Sequence, residues 1–215
     1  MATCPNCEHE FNEHRKKNFF IVALVLAIAG LLVAYKYDYI ENLRGGVLVD
    51  SRDRQKYKII KIGEQVWMQQ NLNIQTGYSV CYGNSDENCE KYGRLYDWVT
   101  ALTACPKGWR LPSYDEWQDL IDYMGGTETS GKVLKSTSGW EEGGNGMDTH
   151  GFSALPGGQG YSNAVFYSAG TSGNWWTSTE QDEDNAYYRN IFYGSRDVYD
   201  SDGSKMYLFS VRCVK

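Results

Sequence analysis

The chain has 215 residues, a formal net charge of −6 and a sequence pI near 5.1, with 22% charged and 14% aromatic residues. This acidic balance excludes nucleic acid as the principal partner, because a phosphate backbone demands clustered Lys and Arg. Gly is frequent (23 residues) and Pro scarce (4), which suits one or two packed, loop-rich domains and not a disordered chain.

The first candidate site is at the N-terminus. Cys4-Pro5-Asn6-Cys7 forms a CxxC knuckle with His9 and His14 nearby. Two thiolates at this spacing supply half of a four-ligand zinc site, and the histidines, or a second chain, would complete it. A redox pair of the thioredoxin kind lacks its βαβ context, and a solvated tail is the plain alternative.

Phe19 to Tyr35 reads FFIVALVLAIAGLLVAY, seventeen residues without a charge or a proline. As a helix this covers about 26 Å at about 1.5 Å per residue, the short end of a bilayer core. Arg15-Lys16-Lys17 precede it, while Lys36 and Arg44 follow among Asp38 and Glu41, so the positive-inside bias favours a cytoplasmic N-terminus. Ala27-Ile28-Ala29 also fits a signal-peptidase site, but the apolar run continues through Leu31, Leu32 and Val33. An uncleaved signal-anchor is therefore expected, in a cytoplasmic (inner) membrane crossed once. The expected organisation is a cytoplasmic tail (1–17), a transmembrane helix (18–35), a linker (36–46) and a periplasmic or extracellular domain (47–215). That last part holds 16 bases and 22 acids, the whole negative excess.

Within it, Tyr57 to Met68 predicts two strands around a Gly63-Glu64 turn. Leu95, Trp98, Val99 and Leu102 recur at helical spacing before Pro106 and Gly108. Ser113-Tyr114-Asp115-Glu116 is a capping box, followed by Trp117, Leu120, Ile121 and Met124 on one face and Gly125 as a stop. Residues 125–185 have the Gly-rich character of long loops. After Trp175 the pattern turns to strands, the clearest being Tyr207, Phe209, Val211 and Cys213 after a turn at Asp202-Gly203. Two helices followed by an antiparallel second half define an α+β domain.

Four cysteines in this domain allow three pairings, and arithmetic alone does not choose. Cys81 and Cys89 bracket a turn-rich loop, which makes a local bridge easy. Cys105 ends the first amphipathic helix and Cys213 lies on the apolar face of the last strand, so their bridge would tie helix to sheet. Two bridges imply an oxidising compartment, in keeping with the topology. Four unpaired thiols in a reducing space are the alternative.

Six phrases carry a family resemblance: DSRDRQKYKIIKIGEQVWMQQNLN (50–73), CYGNSDENCEKYGRLYDW (81–98), ACPKGWRLPSYDEWQDL (104–120), GFSALPGG (151–158), WWTSTE (175–180) and FSVRCVK (209–215). In order and spacing they resemble the Fibrobacter succinogenes major paralogous (FISUMP) domain over nearly all of residues 47–215. The resemblance implies a C-type-lectin-like fold of two helices, small antiparallel sheets and long loops, a secreted or cell-envelope setting, and no assigned activity. It also implies that Cys105 pairs with Cys213.

A non-enzymatic recognition module is the first functional reading. Tyr161, Phe166, Tyr167, Trp175 and Trp176 supply flat apolar faces of the kind that stack on sugar rings, so a polysaccharide is the expected ligand. The alternative for the tryptophans is core packing. Calcium often assists sugar binding in this fold, but the EPN, QPD and WND tripeptides of those lectins are missing. Asp182 and Asp184, in the run Asp182-Glu183-Asp184-Asn185, are the candidate calcium ligands, with Asp200-Ser201-Asp202-Gly203 as a weaker one. No cofactor is required on this reading.

Enzymes of the formylglycine-generating kind carry a phrase similar to Arg110-Leu111-Pro112-Ser113-x-x-Glu116-Trp117, but need reactive cysteines near the end of the domain, where only Cys213 stands. His150, the single histidine of the domain, and Asp148 offer the only start of a hydrolase triad, without a G-x-S-x-G elbow. No catalytic residue is expected. A structural or protein-binding element of the envelope is the remaining alternative.

Overall fold

A computed structural model describes residues 19, 21–32 and 45–215. The chain divides into two units, Met1–Arg44 and Gly45–Lys215. In the first, residues 21–32 are helical (α1), and their apolar side chains lie open, Leu26 at 67% and Leu31 at 71% exposure. Among the described residues no helix is long and apolar enough to cross a membrane. The expected span extends beyond the described helix, so its two ends lie outside the described residues.

The second unit opens with a three-stranded antiparallel sheet of β1 (Val47–Val49), β2 (Lys56–Ile62) and β3 (Gln65–Met68). Gly63, at φ +59°, makes the β2–β3 turn, as the sequence predicts. Then come β4 (Ser79–Val80), a 3₁₀ turn at Tyr82–Asn84, α2 (Asp86–Tyr92), β5 (Leu95–Tyr96), α3 (Trp98–Ala104), α4 (Tyr114–Tyr123) and α5 (Thr127–Leu134). The remaining strands are β6 (Gly157–Gly160), β7 (Phe166–Ala169), β8 (Ser172–Glu180), β9 (Asn185–Phe192), β10 (Val198–Ser204) and β11 (Phe209–Ser210). The large sheet runs β10-β9-β8-β11-β5-β4, with β6 joining β8 and β7. Its pairs are antiparallel except β11 and β6 on β8. The unit is α+β.

β8 organises the core. Successive side chains of a strand face opposite ways, so Trp175 and Trp176 enter different clusters. Trp176 packs on Phe209 at 4.4 Å between centroids, among Met68, Tyr96 and Val211. Trp175 joins Trp117, Trp67 and Phe152, with Trp117 at 6.1 Å. Because both faces are covered, residues 172–177 are buried without alternation.

The capping box forms as predicted: Ser113 Oγ accepts from Glu116 N, Glu116 accepts from Ser113 N, and Trp117, Leu120 and Ile121 are buried beneath α4. The bridges Cys81–Cys89 and Cys105–Cys213 are both present. Other expectations are corrected. Leu95 is in a strand, and α3 starts at Trp98 under an Asp97 cap. Its buried side is Trp98, Ala101 and Ala104, while Val99 and Leu102 are exposed; two alanines shift the contact face away from the larger residues. The Cys81–Cys89 segment is not a loop throughout, because α2 begins inside it. Asp202-Gly203 makes no turn but lies within β10 opposite Tyr187 and Ala186; the last strand is regular at Phe209–Ser210 and pairs on beyond it, with Val214 bridged to Trp67 and Arg110.

Nor is 125–185 one loop region. It contains α5, whose Gly131 is required because a Cβ there would strike the carbonyl oxygens of Arg196 and Asp197. The two-helix count thus becomes four short helices in this unit.

Candidate ligand-binding site

The family phrases converge on one buried knot. QVWMQQNLN brings Asn71, GFSALPGG brings Phe152 and Ser153, WWTSTE brings Trp175, and FSVRCVK brings Arg212. Asn71 Oδ1 accepts from Trp175 Nε1 at 2.9 Å and from Arg212 Nε and Nη2 at 3.0 and 2.8 Å. The Asn71 amide donates to Tyr92 O at 2.8 Å. The Arg212 guanidinium also donates to the carbonyls of Met68, Phe152 and Ser153 and lies over the Phe152 ring at 4.6 Å. It meets no carboxylate directly, and burial pulls its pKa down to about 9. Such a knot specifies packing, since its polar groups are spent on one another.

A surface site forms elsewhere. The β6–β7 hairpin turns through Tyr161 to Val165, closed by Tyr161 N donating to Val165 O at 2.9 Å. Gly158, at φ +70°, allows the hairpin to close: a Cβ there would come within 2.6 Å of Ala169 N and Tyr167 O. Tyr161 meets Tyr167 edge to face at 5.5 Å, and behind it Tyr207 at 4.8 Å, both at 81°. Tyr167 is 52% exposed and Tyr161 half-buried. With Asn163 and Val165 they line an open depression of about 350 Å³. Gln159 Nε2 donates to the Tyr161 hydroxyl at 2.9 Å, and the Tyr78 hydroxyl donates to Ser162 O at 3.1 Å, which steadies the turn. Two crossed rings with amides at the rim give apolar faces plus neutral hydrogen-bonding groups, suited to a polyhydroxylated ligand. Phe166 points its contacts elsewhere, against Tyr82 at 5.3 Å.

The other sequence-derived candidates fare differently. Trp175 and Trp176 are corrected: both are 0% exposed, and their indole N–H groups are spent on Asn71 Oδ1 and Tyr96 O. Buried on both sides of β8, they have no face left for a ligand. Asp182 and Asp184 stand on the exposed β8–β9 turn. Asp182 accepts from Asp184 N, Asn185 N and the Asn185 amide, and these hydrogen bonds hold its carboxyl below the usual carboxylate range. Lys205 reaches the Glu180 carboxylate and the carbonyls of Asp182 and Glu183, so an ammonium already answers the charge and oxygens of this turn. Cys4, Cys7, His9 and His14 lie outside the described residues.

All four cysteines of this unit are bonded, leaving no thiol in it for a formylglycine-type reaction. His150 is exposed with its ring edge-on to Tyr123, while Asp148 gives both carboxylate oxygens to Ser153. Asn163 and Val165 line the tyrosine cleft, and Tyr78, Gln159 and Tyr207 brace it, none of them marked by a sequence motif. Tyr78 and Tyr207 are far from the hairpin along the chain, and only the fold brings them to it.

A disulfide-linked α+β unit with buried signature residues is the class of domain these features define. The family model described as the Fibrobacter succinogenes major domain matches residues 60–215, and the chain belongs to that family. No curated protein matches it.

Proposed function

We propose that the chain is a membrane-anchored recognition protein whose outward-facing domain binds carbohydrate, without catalysis, at the cleft between Tyr161 and Tyr167. The observation that carries this reading is the pair of crossed tyrosines beside the Asn163 amide, held open on a braced hairpin instead of packed into the core. The lectin-like character of the domain belongs to the same proposal; its support is the Cys105–Cys213 bridge between the end of α3 and the last segment of chain. The anchor is the apolar run 19–35, supported by the uncovered apolar side chains of α1 and by the Arg15-Lys16-Lys17 flank. This orientation puts the bridged cysteines in an oxidising compartment. Zinc on Cys4, Cys7, His9 and His14 is a separate proposal for the tail. Calcium is left out, because Lys205 already serves the Asp182 turn.

Full-length protein in detergent would be screened against immobilised polysaccharides, with calcium and with chelator. Binding in both conditions, weakened about fivefold or more in Tyr167→Ala with the melting temperature unchanged, is the expected result; loss of a stacking face of about 1–3 kcal/mol gives this size. Retention of no polysaccharide would move the reading to a protein partner in the envelope. Binding by Tyr161→Ala and Tyr167→Ala as strong as that of the unaltered protein would remove the cleft from it.

A further inference from the structure

A second hollow, of about 220 Å³, opens between the start of β2, the loop after β3 and the C-terminal end of α2. It shares no residue with the tyrosine cleft. Its volume is below the range of about 300–1,000 Å³ typical for drug-sized ligands, and suits a single ring.

The lining groups are unusual in what they leave unpaired. Lys56, Lys91 and Glu90 are exposed and enter no ion pair among the described residues. Asn73 contributes to the wall, and its Oδ1 is buried with no hydrogen-bond partner. Gln70 has its Oε1 occupied by Lys58 N at 2.7 Å, leaving the amide N–H groups to donate. Tyr57 closes the base: its hydroxyl accepts from Asn73 N at 3.1 Å, and burial pushes its pKa up to about 12, so it stays a neutral phenol.

These groups set the chemistry of an occupant. Two ammonium groups against one carboxylate make the hollow locally positive, in a domain where acids outnumber bases 22 to 16. They call for an anion on the ligand. The Glu90 carboxylate accepts only, so it calls for a hydroxyl donor, and the free N–H groups of the Gln70 amide call for an acceptor. A simple inorganic anion would satisfy the lysines and leave the Glu90 carboxylate bare. A neutral sugar would do the reverse. We propose that this hollow binds one carboxylated sugar ring of the uronic-acid class, its carboxylate on Lys56 and Lys91 and its hydroxyls on Gln70 and Glu90.

The proposal goes beyond the tyrosine cleft and stands without it. The probe is sodium D-glucuronate, with D-glucose and sulfate as controls, followed by saturation-transfer NMR on the full-length protein in detergent. Glucuronate should give a response about tenfold stronger in affinity than glucose, the size expected of one or two charge-assisted hydrogen bonds. The response should be displaced weakly or not at all by sulfate. It should fall by a similar factor in the double variant Lys56→Met/Lys91→Met, both exposed positions, and persist in Lys56→Arg/Lys91→Arg. A glucuronate response no stronger than glucose, or unchanged in the double methionine variant, would overturn the assignment. Tyr167→Ala should leave the response intact, so failure of the cleft and failure of this hollow are read separately.

Discussion

Truncating Asn71 tests the buried knot most directly. In Asn71→Ala the Arg212 guanidinium loses the acceptor of its Nε and one Nη2 bond, Trp175 Nε1 loses its partner, and Tyr92 O loses a donor. Arg212 is 0% exposed, so water does not replace the lost oxygen without opening the core. Bonds to a charged group contribute about 1.5–3 kcal/mol, and each stranded neutral donor costs about 1–3 kcal/mol, so the variant should lose about 3–5 kcal/mol. At about 2–4 °C per kcal/mol for a domain of this size, the melting temperature falls by about 10 °C. Urea unfolding followed by far-UV circular dichroism would give the free energy directly. Arg212→Met and the double variant complete a cycle, and a coupling of at least about 1 kcal/mol is expected because the two side chains share an atom-to-atom contact. A loss below about 1 kcal/mol, or strict additivity, would refute the account of the knot.

Two further outcomes follow from the fold. Replacing Cys105 and Cys213 together by alanine opens a loop of sequence separation 108, and the double variant should lose about 4–5 kcal/mol in denaturant unfolding; a loss near zero would mean that the bridge adds nothing the knot does not already hold. Lys135 gives its ammonium to the carbonyls of Phe192, Tyr193 and Ser195, yet burial and the charge of Lys132 pull its pKa from 10.5 down to about 8. Between those values the unfolded chain holds more protons than the folded one, so stability should rise with pH through that window. Lys135→Met should flatten the rise; identical pH slopes in both proteins would count against it.

The parts of the fold legible in the sequence are those encoded locally. Ser113 and Glu116 announce the start of α4 because both members of the capping box lie within one turn, and Gly63 marks a hairpin because its positive φ is a local demand. What misled was size without context. Val99 and Leu102 are larger than Ala101 and Ala104, but the surface above α3 has room only for the alanines, and that surface is built by strands distant in sequence. Asp202-Gly203 has the composition of a turn and is held extended by its partners on β9.

The site follows the same division. Tyr161 and Tyr167 stand out in the sequence as flat aromatic faces in a Gly-rich stretch, and the structure leaves Tyr167 exposed and Tyr161 half-buried beside an open depression. Trp175 and Trp176 are equally aromatic, and only the sheet order, which makes β8 interior, removes them from the surface. The hollow beside Lys56 and Lys91 has no sequence signal, since its walls come from four separate segments.

The Cys105–Cys213 bridge also has a mechanical consequence. It closes everything from residue 105 to residue 213 into a covalent ring, and the tyrosine hairpin lies within that ring. If tension enters at Gly45 and leaves through a ligand on the hairpin, the stretch from 45 to 105 carries it as a single chain, about 200 Å when fully drawn and less with Cys81–Cys89 intact, whereas beyond Cys105 the two arms of the ring share it. Strands β1 to β3 lie on the singly loaded stretch, and β6, β7 and β8 on the shared one. A domain wired this way gives at its base and keeps hold at its tip.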